Sequence, residues 1–216
     1  MKWSAFVTQD TFISTMIIAL LLEPASSIPE IFPIALVAAL AIALRVLVRY
    51  KVSPLINPAA GAIGAAVLIS YTGLIVAPLG SWWGANYALT LGDIRLTVGT
   101  VISMILCALI VARNRKQWFA GIFFALVAAY MLTQGNFMDY FLDGTVFFFF
   151  GLMACEPKTS PISKAHQITI GIVLAGALIA SFVWHLPSGY IFALILANIV
   201  RAGITHIPFL KKLFTF

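Results

Sequence analysis

The sequence predicts an all-α polytopic membrane protein with about eight transmembrane or half-spanning helices. Hydrophobic residues make up 62% of the 216 residues and charged residues only 9%, which leaves too little polar surface to coat a soluble globule. Only helices and closed barrels satisfy their backbone polar groups inside lipid. The apolar runs are continuous and rich in Leu, Ala and Ile, so they favour helices over the alternating pattern of barrel strands. We therefore expect one transmembrane domain over residues 1–216.

Short turns separate the apolar segments, so neighbouring segments are expected to cross in alternating directions. Their predicted bounds are residues 11–24, 29–49, 54–74, 95–112, 117–134, 140–155, 165–184 and 188–206. The first segment has no small-residue cleavage site before Glu23 and Pro24. We expect it to be retained rather than removed as a signal peptide.

The basic residues support this topology. If every segment crosses, all of them except Arg95 fall on one side of the membrane. An excess of Lys and Arg marks the cytoplasmic side, so both termini are predicted to be cytoplasmic. The net charge of +6 then reflects orientation, and no nucleic-acid partner is expected.

A repeated pattern organises the chain. Asp10 precedes Glu23 and Pro24 at the spacing at which Asp143 precedes Glu156-Pro157. A pair of hydroxyl residues stands one residue after each Glu-Pro, Ser26-Ser27 in the first unit and Thr159-Ser160 in the second. Five predicted crossings separate the two units, so they enter the membrane with opposite polarity. This indicates an inverted-topology repeat, with repeat 1 at about 10–134 and a truncated repeat 2 at about 140–206. The alternative is that the two units resemble each other by accident.

The two Glu-Pro units are expected to interrupt their helices. The helix before each Glu-Pro rises only about 20 Å, which is short of the roughly 30 Å hydrocarbon core. Pro24 and Pro157 remove a backbone donor and bias the preceding Glu out of the helical region. Non-helical backbone at that depth is tolerated where it is buried in protein or lines a cavity. Glu156, Thr159 and Ser160 are therefore candidate site residues.

Two Asn residues are further candidates. Asn57 can cap a helix that starts at Pro58, or it can contact a ligand at the helix end. Asn198 lies in an apolar run, where its amide needs a partner. An interhelical hydrogen bond is one interpretation of Asn198, and a ligand contact is the other. We assign no catalytic residue and no metal ligand, and we interpret Cys107 and Cys155 as packing residues.

Two motifs resemble one family of electron-transport proteins. The first is Asn57-Pro58-Ala59, and the second runs from Met153 through Glu156-Pro157-Lys158-Thr159-Ser160 to Pro161. They resemble Phe-Asn-Pro-Ala and Met-x-x-Asp-Pro-x-Thr-Ser-Pro in the NqrB/RnfD family, whose members are membrane components of the sodium-pumping NADH:quinone oxidoreductase and of the Rnf electron-transport complex. The resemblance covers most of the chain in order, including a late apolar stretch that ends at Asn198. Glu156 stands where the family commonly has Asp.

The resemblance implies a flavin-carrying component of the bacterial inner (plasma) membrane, with a fold similar to that of urea transporters. Family members attach FMN to the Thr of a Ser-Gly-Ala-Thr motif, which this sequence lacks, so we do not transfer the attachment to Thr145. A noncovalent flavin, FMN or riboflavin, is expected instead. Its binding residues would be Asn57, Pro58, Phe149, Glu156, Thr159, Ser160 and Asn198.

Two functions follow from these interpretations. The first is electron transfer through a flavin between the two broken helices, with the flavin ring packed on the Phe148–Phe150 run; simple core packing is the alternative role of that run. A cytoplasmic flavoprotein reductase or other electron-transport proteins would be partners, besides the lipid bilayer and a further copy of the chain. The second function is transport of a small solute or ion along Glu23, Asn57, Glu156 and Asn198.

Overall fold

A computed structural model describes residues 14–15, 17–19, 22, 27–50, 53–70, 72, 88–91, 94–142, 144–186 and 188–206. The chain divides into two compact units, Met1–Trp83 and Gly84–Phe216, which we describe separately. The first predicted Glu-Pro unit, with Glu23 and Pro24, lies outside the described residues, as do Asp10 and Asp143. The inverted repeat therefore remains a prediction.

In the first unit, the described residues include two helices with defined bounds. Residues 14, 15 and 17–19 are helical, and helix α1 follows over Ile28–Leu47. A short antiparallel ribbon of β1 (Arg49–Tyr50) and β2 (Ser53–Pro54) leads into helix α2, Pro58–Ser70. The predicted segment 54–74 therefore begins its helix only at Pro58, because the residues before it pair in the ribbon.

Helices α1 and α2 pack closely through a small residue. A Cβ atom at Gly61 would lie 3.0 Å from Leu44 Cδ1 and 2.8 Å from Ile56 Cδ1. Ala59, Gly61 and Gly64 are all buried. Small residues let helices approach each other closely, as Gly61 does here against Leu44 of α1.

The second unit is mostly helical. It begins with an antiparallel ribbon of β3 (Ala88–Leu91) and β4 (Ile94–Thr97). The helices that follow are α3 (Val98–Arg113), α4 (Gln117–Gln134), α5 (Phe137–Leu142), α6 (Thr145–Phe148), a π-helix (Phe149–Ala154), α7 (Lys164–Val183) and α8 (Gly189–His206). The predicted segment 140–155 is interrupted at Gly144, whose φ of 81° is left-handed and interrupts the helix between α5 and α6.

The helices from α4 onwards alternate in direction. Gln167 bonds to the backbone of Phe119 near the start of α4, and Phe182 stacks on Tyr130 near its end, so α4 and α7 run parallel. Between them, Phe147 packs on Phe124 and Phe150 on Phe119, so the α6 and π-helix segment returns in the opposite direction. Helix α8 folds back on α7 after a short turn, and Gly189 lies against Ser181 there.

This alternation brings one group of basic residues to the same end of the second unit. They lie before α4, between the π-helix and α7, at the start of α7 and late in α8. The group is Arg115, Lys116, Lys158, Lys164 and Arg201. At this end Lys164 Nζ lies 4.0 Å from the ring centre of Trp118. Trp118 is half exposed, so its ring face is open to this cation–π contact.

The structure confirms a largely helical, membrane-type chain. Three described helices, α4, α7 and α8, are long enough and apolar enough to cross a bilayer, and the shorter apolar helices include Pro58–Ser70 and Thr145–Ala154. Many large apolar side chains are exposed, among them Leu109, Leu132 and Ile199. Exposed Leu and Ile at this density fit contact with lipid rather than with water. The two short ribbons are the strands seen among the described residues.

Candidate functional site

The π-helix Phe149–Ala154 packs closely against α3 in the second unit. A Cβ atom at Gly151 would lie 2.7 Å from Cys107 Cα on α3, so glycine permits contact between the two backbones. The wide turn is visible in the bond from Cys155 N to Phe150 O, at 2.9 Å and five residues back. Such turns often occur at functional sites, so the residues that follow this segment are candidates for a functional role.

The helix ends just before the second Glu-Pro unit, as the sequence predicts. Ala154 is its last residue, and residues 155 and 157–159 lie in turns. The backbone N–H groups of Thr159 and Ser160 donate to Glu156 O at 3.2 and 2.9 Å. The Thr159 hydroxyl donates to Glu156 Oε2 at 2.9 Å. Glu156 therefore closes this loop through both its carbonyl and its carboxylate.

Lys116 and Gln167 attach the same loop to α4. Lys116 is buried, with 5% of its surface exposed, and its Nζ donates to Pro161 O. Gln167 Nε2 donates to Ile162 O and Arg115 O, both at 3.0 Å, and its Oε1 accepts from Phe119 N at 3.3 Å. These bonds fix the loop at the starts of α4 and α7.

Helix α8 adds two buried polar residues to this end of the unit. Arg201 is 9% exposed, and the carboxylate of Glu156 acts electrostatically on its guanidinium group. The positive charge of Arg201 also acts electrostatically on the amine of Lys116. Asn198 is 3% exposed and lies one helical turn before Arg201, on the same buried face.

The buried polar atoms of this region that lack a hydrogen bond include Ser160 Oγ and Asn198 Nδ2. No partner for either atom is present among the described residues. The interhelical hydrogen bond expected of the Asn198 amide is therefore not seen at its nitrogen in the described part of the chain. A buried donor without a partner costs roughly 1–3 kcal/mol, so a polar ligand would relieve a real penalty at these atoms.

Asn57 and Pro58 lie in the first unit and begin α2. Ala60 N donates to Asn57 Oδ1 at 3.0 Å, and Gly61 N donates to Asn57 O at 2.9 Å. Asn57 is thus the N-cap, with Pro58 as the first helical residue, which confirms the capping interpretation. A ligand contact by these two residues stays a prediction.

Phe149 belongs to an aromatic cluster. It is 2% exposed, and its ring centre lies 4.9 Å from that of Tyr190 and 6.3 Å from that of Phe123. Phe150 stacks on Phe123 at 4.7 Å and packs on Phe119 at 4.8 Å. The Phe run therefore fills the core of the second unit, and contact of Phe149 with a flavin stays a prediction.

Sequence reasoning missed the buried cations. The charge pattern predicts Lys116 and Arg201 only as topology signals at one membrane face. The spacing of Arg201 after Asn198, three residues within an apolar helix, was the available sign of a shared polar face. The described residues contain no group of three or more His, Cys, Asp or Glu side chains able to hold a metal ion.

The observed site is therefore a buried polar cluster in the second unit. We call it the loop cluster, formed by Lys116, Glu156, Thr159, Ser160, Asn198 and Arg201. Comparisons with known proteins add no relative: no protein-family model, no curated protein and no solved structure matches this chain.

Proposed function

We propose that the chain is a membrane-embedded electron-transfer protein of the Rnf and sodium-pumping oxidoreductase type, which binds a flavin noncovalently. The motif resemblance at Asn57-Pro58 and at Glu156 to Pro161 motivates this choice. The observation that carries it is the loop cluster, because a side-chain hydrogen bond joins motif residues Glu156 and Thr159 beside the buried, unpartnered Ser160 Oγ.

The polar atoms of the loop cluster suit a flavin better than its aromatic neighbours do. A flavin carries hydroxyl groups along its ribityl chain and acceptors along its ring edge, which Ser160 Oγ and Asn198 Nδ2 can meet. The ring of Phe149 is already covered by Tyr190 and Phe123. We therefore place the polar part of the flavin at the loop cluster, with Phe149 packed behind it. The flavin supplies the electron-accepting chemistry, and the protein supplies position and polarity.

Purified full-length protein in detergent tests this proposal. After reconstitution with FMN or riboflavin and removal of free flavin, the protein should show the visible flavin bands. Denaturation should release the flavin and leave a polypeptide of unmodified mass. Ser160→Ala should weaken retention, whereas Ser181→Ala should not, because the Ser181 hydroxyl already donates to Ala177 O at 2.8 Å. Absence of flavin bands after reconstitution would contradict the proposal.

We further propose that the basic end of the second unit faces the cytoplasm of a bacterial inner membrane, with both termini on that side. The grouping of Lys116, Lys158, Lys164 and Arg201 at one end supports this orientation. A cytoplasmic flavoprotein reductase or other electron-transport proteins would then dock there and deliver electrons. Co-purification from the native membrane, followed by cysteine-accessibility labelling of exposed loop positions, tests both partner and orientation.

Transport of a small solute or ion is the second candidate function. The observation that favours it is the burial of Lys116 and Arg201 near the half-buried Glu156 in a membrane-type helical unit, because charged groups there often mark a pathway. Flux into liposomes should then fall in Glu156→Gln. Flux that is unchanged in this variant, or absent from wild-type liposomes, would exclude the candidate in favour of electron transfer.

A further inference from the structure

The loop cluster contains more positive than negative charge. Lys116 and Arg201 are buried cations, and Glu156 is the carboxylate that acts on Arg201. The acidic residues described in the second unit are Glu156 and Asp139. Asp139 lies beyond the far end of α4, about 27 Å of helix away from Lys116. One buried positive charge is therefore not balanced by a described acidic side chain.

The free hydrogen-bonding capacity of the cluster includes two donors, the Ser160 hydroxyl and the Asn198 amide NH₂. Ser160 Oγ and Asn198 Nδ2 are unpartnered in side chains that are 4% and 3% exposed. Ser160 lies between Thr159, which bonds Glu156, and Pro161, whose carbonyl accepts from Lys116. Asn198 shares a helical face with Arg201. A hydroxyl and an amide NH₂ beside two cations match an acceptor with negative charge.

We propose that Lys116, Ser160, Asn198 and Arg201 form a binding site for a phosphate-type oxyanion. A buried cation that lacks a counter-charge is costly in a low-dielectric interior, and an oxyanion removes that cost while it accepts from both orphan donors. A metal cation would meet two positive charges, and a neutral solute would leave the charge unbalanced. The inference rests on the proposed function in one respect only: the molecule that brings the oxyanion would be FMN, through its phosphate group. A free inorganic anion is the other source.

Three probes separate these sources: FMN, riboflavin, which lacks the phosphate, and inorganic phosphate. Binding to the purified full-length protein is measured by equilibrium dialysis for the flavins and by calorimetry for phosphate. We expect FMN to bind at least tenfold more tightly than riboflavin, and phosphate to compete with FMN. Asn198→Asp places a carboxylate at the site and should weaken FMN and phosphate by at least tenfold. Riboflavin should weaken less, because it carries no negative charge for the carboxylate to repel.

Two milder variants protect the test against misfolding. Ser160→Ala removes one donor and should weaken phosphate binding about tenfold, as loss of a hydrogen bond to a charged group does. Ser181→Ala is the matched control, since it removes a buried serine hydroxyl bonded within α7, and phosphate affinity should not change. Monodisperse elution and unchanged circular dichroism show that each variant is folded.

The outcomes separate this site from the flavin function. Phosphate binding that depends on Ser160 supports the site even if no flavin binds, in which case the flavin proposal fails alone. Equal affinity for FMN and riboflavin, with phosphate binding absent from folded wild-type protein, overturns the anion site while the flavin proposal survives. Binding of neither flavin nor phosphate overturns both.

Discussion

The Thr159 hydroxyl donates a hydrogen bond of 2.9 Å to Oε2 of Glu156, three residues earlier in the chain. The backbone N–H of Thr159 also donates to the carbonyl of Glu156, at 3.2 Å. Thr159 thus contacts both polar groups of the glutamate, and its side chain is only 2% exposed. This double attachment holds the loop that follows the π-helix.

Thr159→Val should destabilise the second unit. The substitution keeps the shape of the side chain but leaves the Glu156 carboxylate without its hydroxyl donor, which costs about 1.5–3 kcal/mol for a hydrogen bond to a charged group. The midpoint of unfolding in an SDS titration, followed by circular dichroism, should fall accordingly.

Two controls test whether that effect comes from the hydroxyl. Thr159→Ser should restore most of the stability. Thr133→Val should have almost no effect, because its exposed hydroxyl donates only to Tyr130 O within the same helix. An equal loss in Thr133→Val and Thr159→Val would contradict the assignment.

Gly151→Ala should be poorly tolerated, because the new Cβ atom would lie 2.7 Å from Cys107 Cα and 2.9 Å from its Cβ. Neither backbone can move aside without separating α3 from the π-helix. Gly176→Ala is the matched control, since nothing lies within 4 Å of its added Cβ atom. It should stabilise α7 by about 0.5–1 kcal/mol. Thermal unfolding in detergent should give the highest midpoint for Gly176→Ala, an intermediate one for the wild type and the lowest for Gly151→Ala.

Asn57→Ala should loosen the first turn of α2. It removes the acceptor for Ala60 N, and loss of an N-cap costs about 1 kcal/mol. Asn57→Ser should retain most of the stabilisation that the native cap gives to the first turn of α2, because serine is also a good N-cap residue. Hydrogen exchange at Ala60 and Gly61 measures the change directly. If exchange at these amides is the same in Asn57→Ala as in wild type, the cap contributes nothing measurable.

Lys116 should make the free energy of unfolding vary with pH in the alkaline range. Burial lowers the pKa of Lys116 below its ordinary value of 10.5, and the nearby charge of Arg201 lowers it further, although Cys155 opposes this shift. Since the unfolded chain then binds more protons, stability rises with pH between the lowered pKa and 10.5. The rise should be absent from Lys116→Gln, and the difference between the two unfolding curves isolates it. Bound phosphate should reduce the rise, because an anion favours the protonated amine.

Local sequence signals predicted the ends of the elements well. Asn57 and Pro58 mark the start of α2 because capping and a fixed φ act within one turn. Glu156 and Pro157 mark the end of the π-helix for a similarly local reason. The three long helices α4, α7 and α8 lie within two residues of their predicted bounds, since their apolar runs and turns are continuous in sequence.

Nonlocal contacts explain what could not be predicted. The wide turn at Phe149–Ala154 accompanies the contact of Gly151 with Cys107, which no spacing in the sequence reveals. Burial of Lys116 depends on Pro161, 45 residues further along the chain. Hydropathy and charge counts assign such a lysine to a turn at the membrane face, so its inward position emerges only when the helices pack.

The bond from Cys155 to Phe150 spans one residue more than an α-helical bond does. Each residue of an α-helix turns the chain by about 100°, so one additional residue in the turn changes the direction in which every later side chain leaves the axis. Deletion of a single residue here would rotate Glu156 away from Arg201, while Phe147 and Phe148 would keep their places. The direction in which the Glu156 side chain points is thus set by the number of residues in one helical turn rather than by the composition of the loop that contains it.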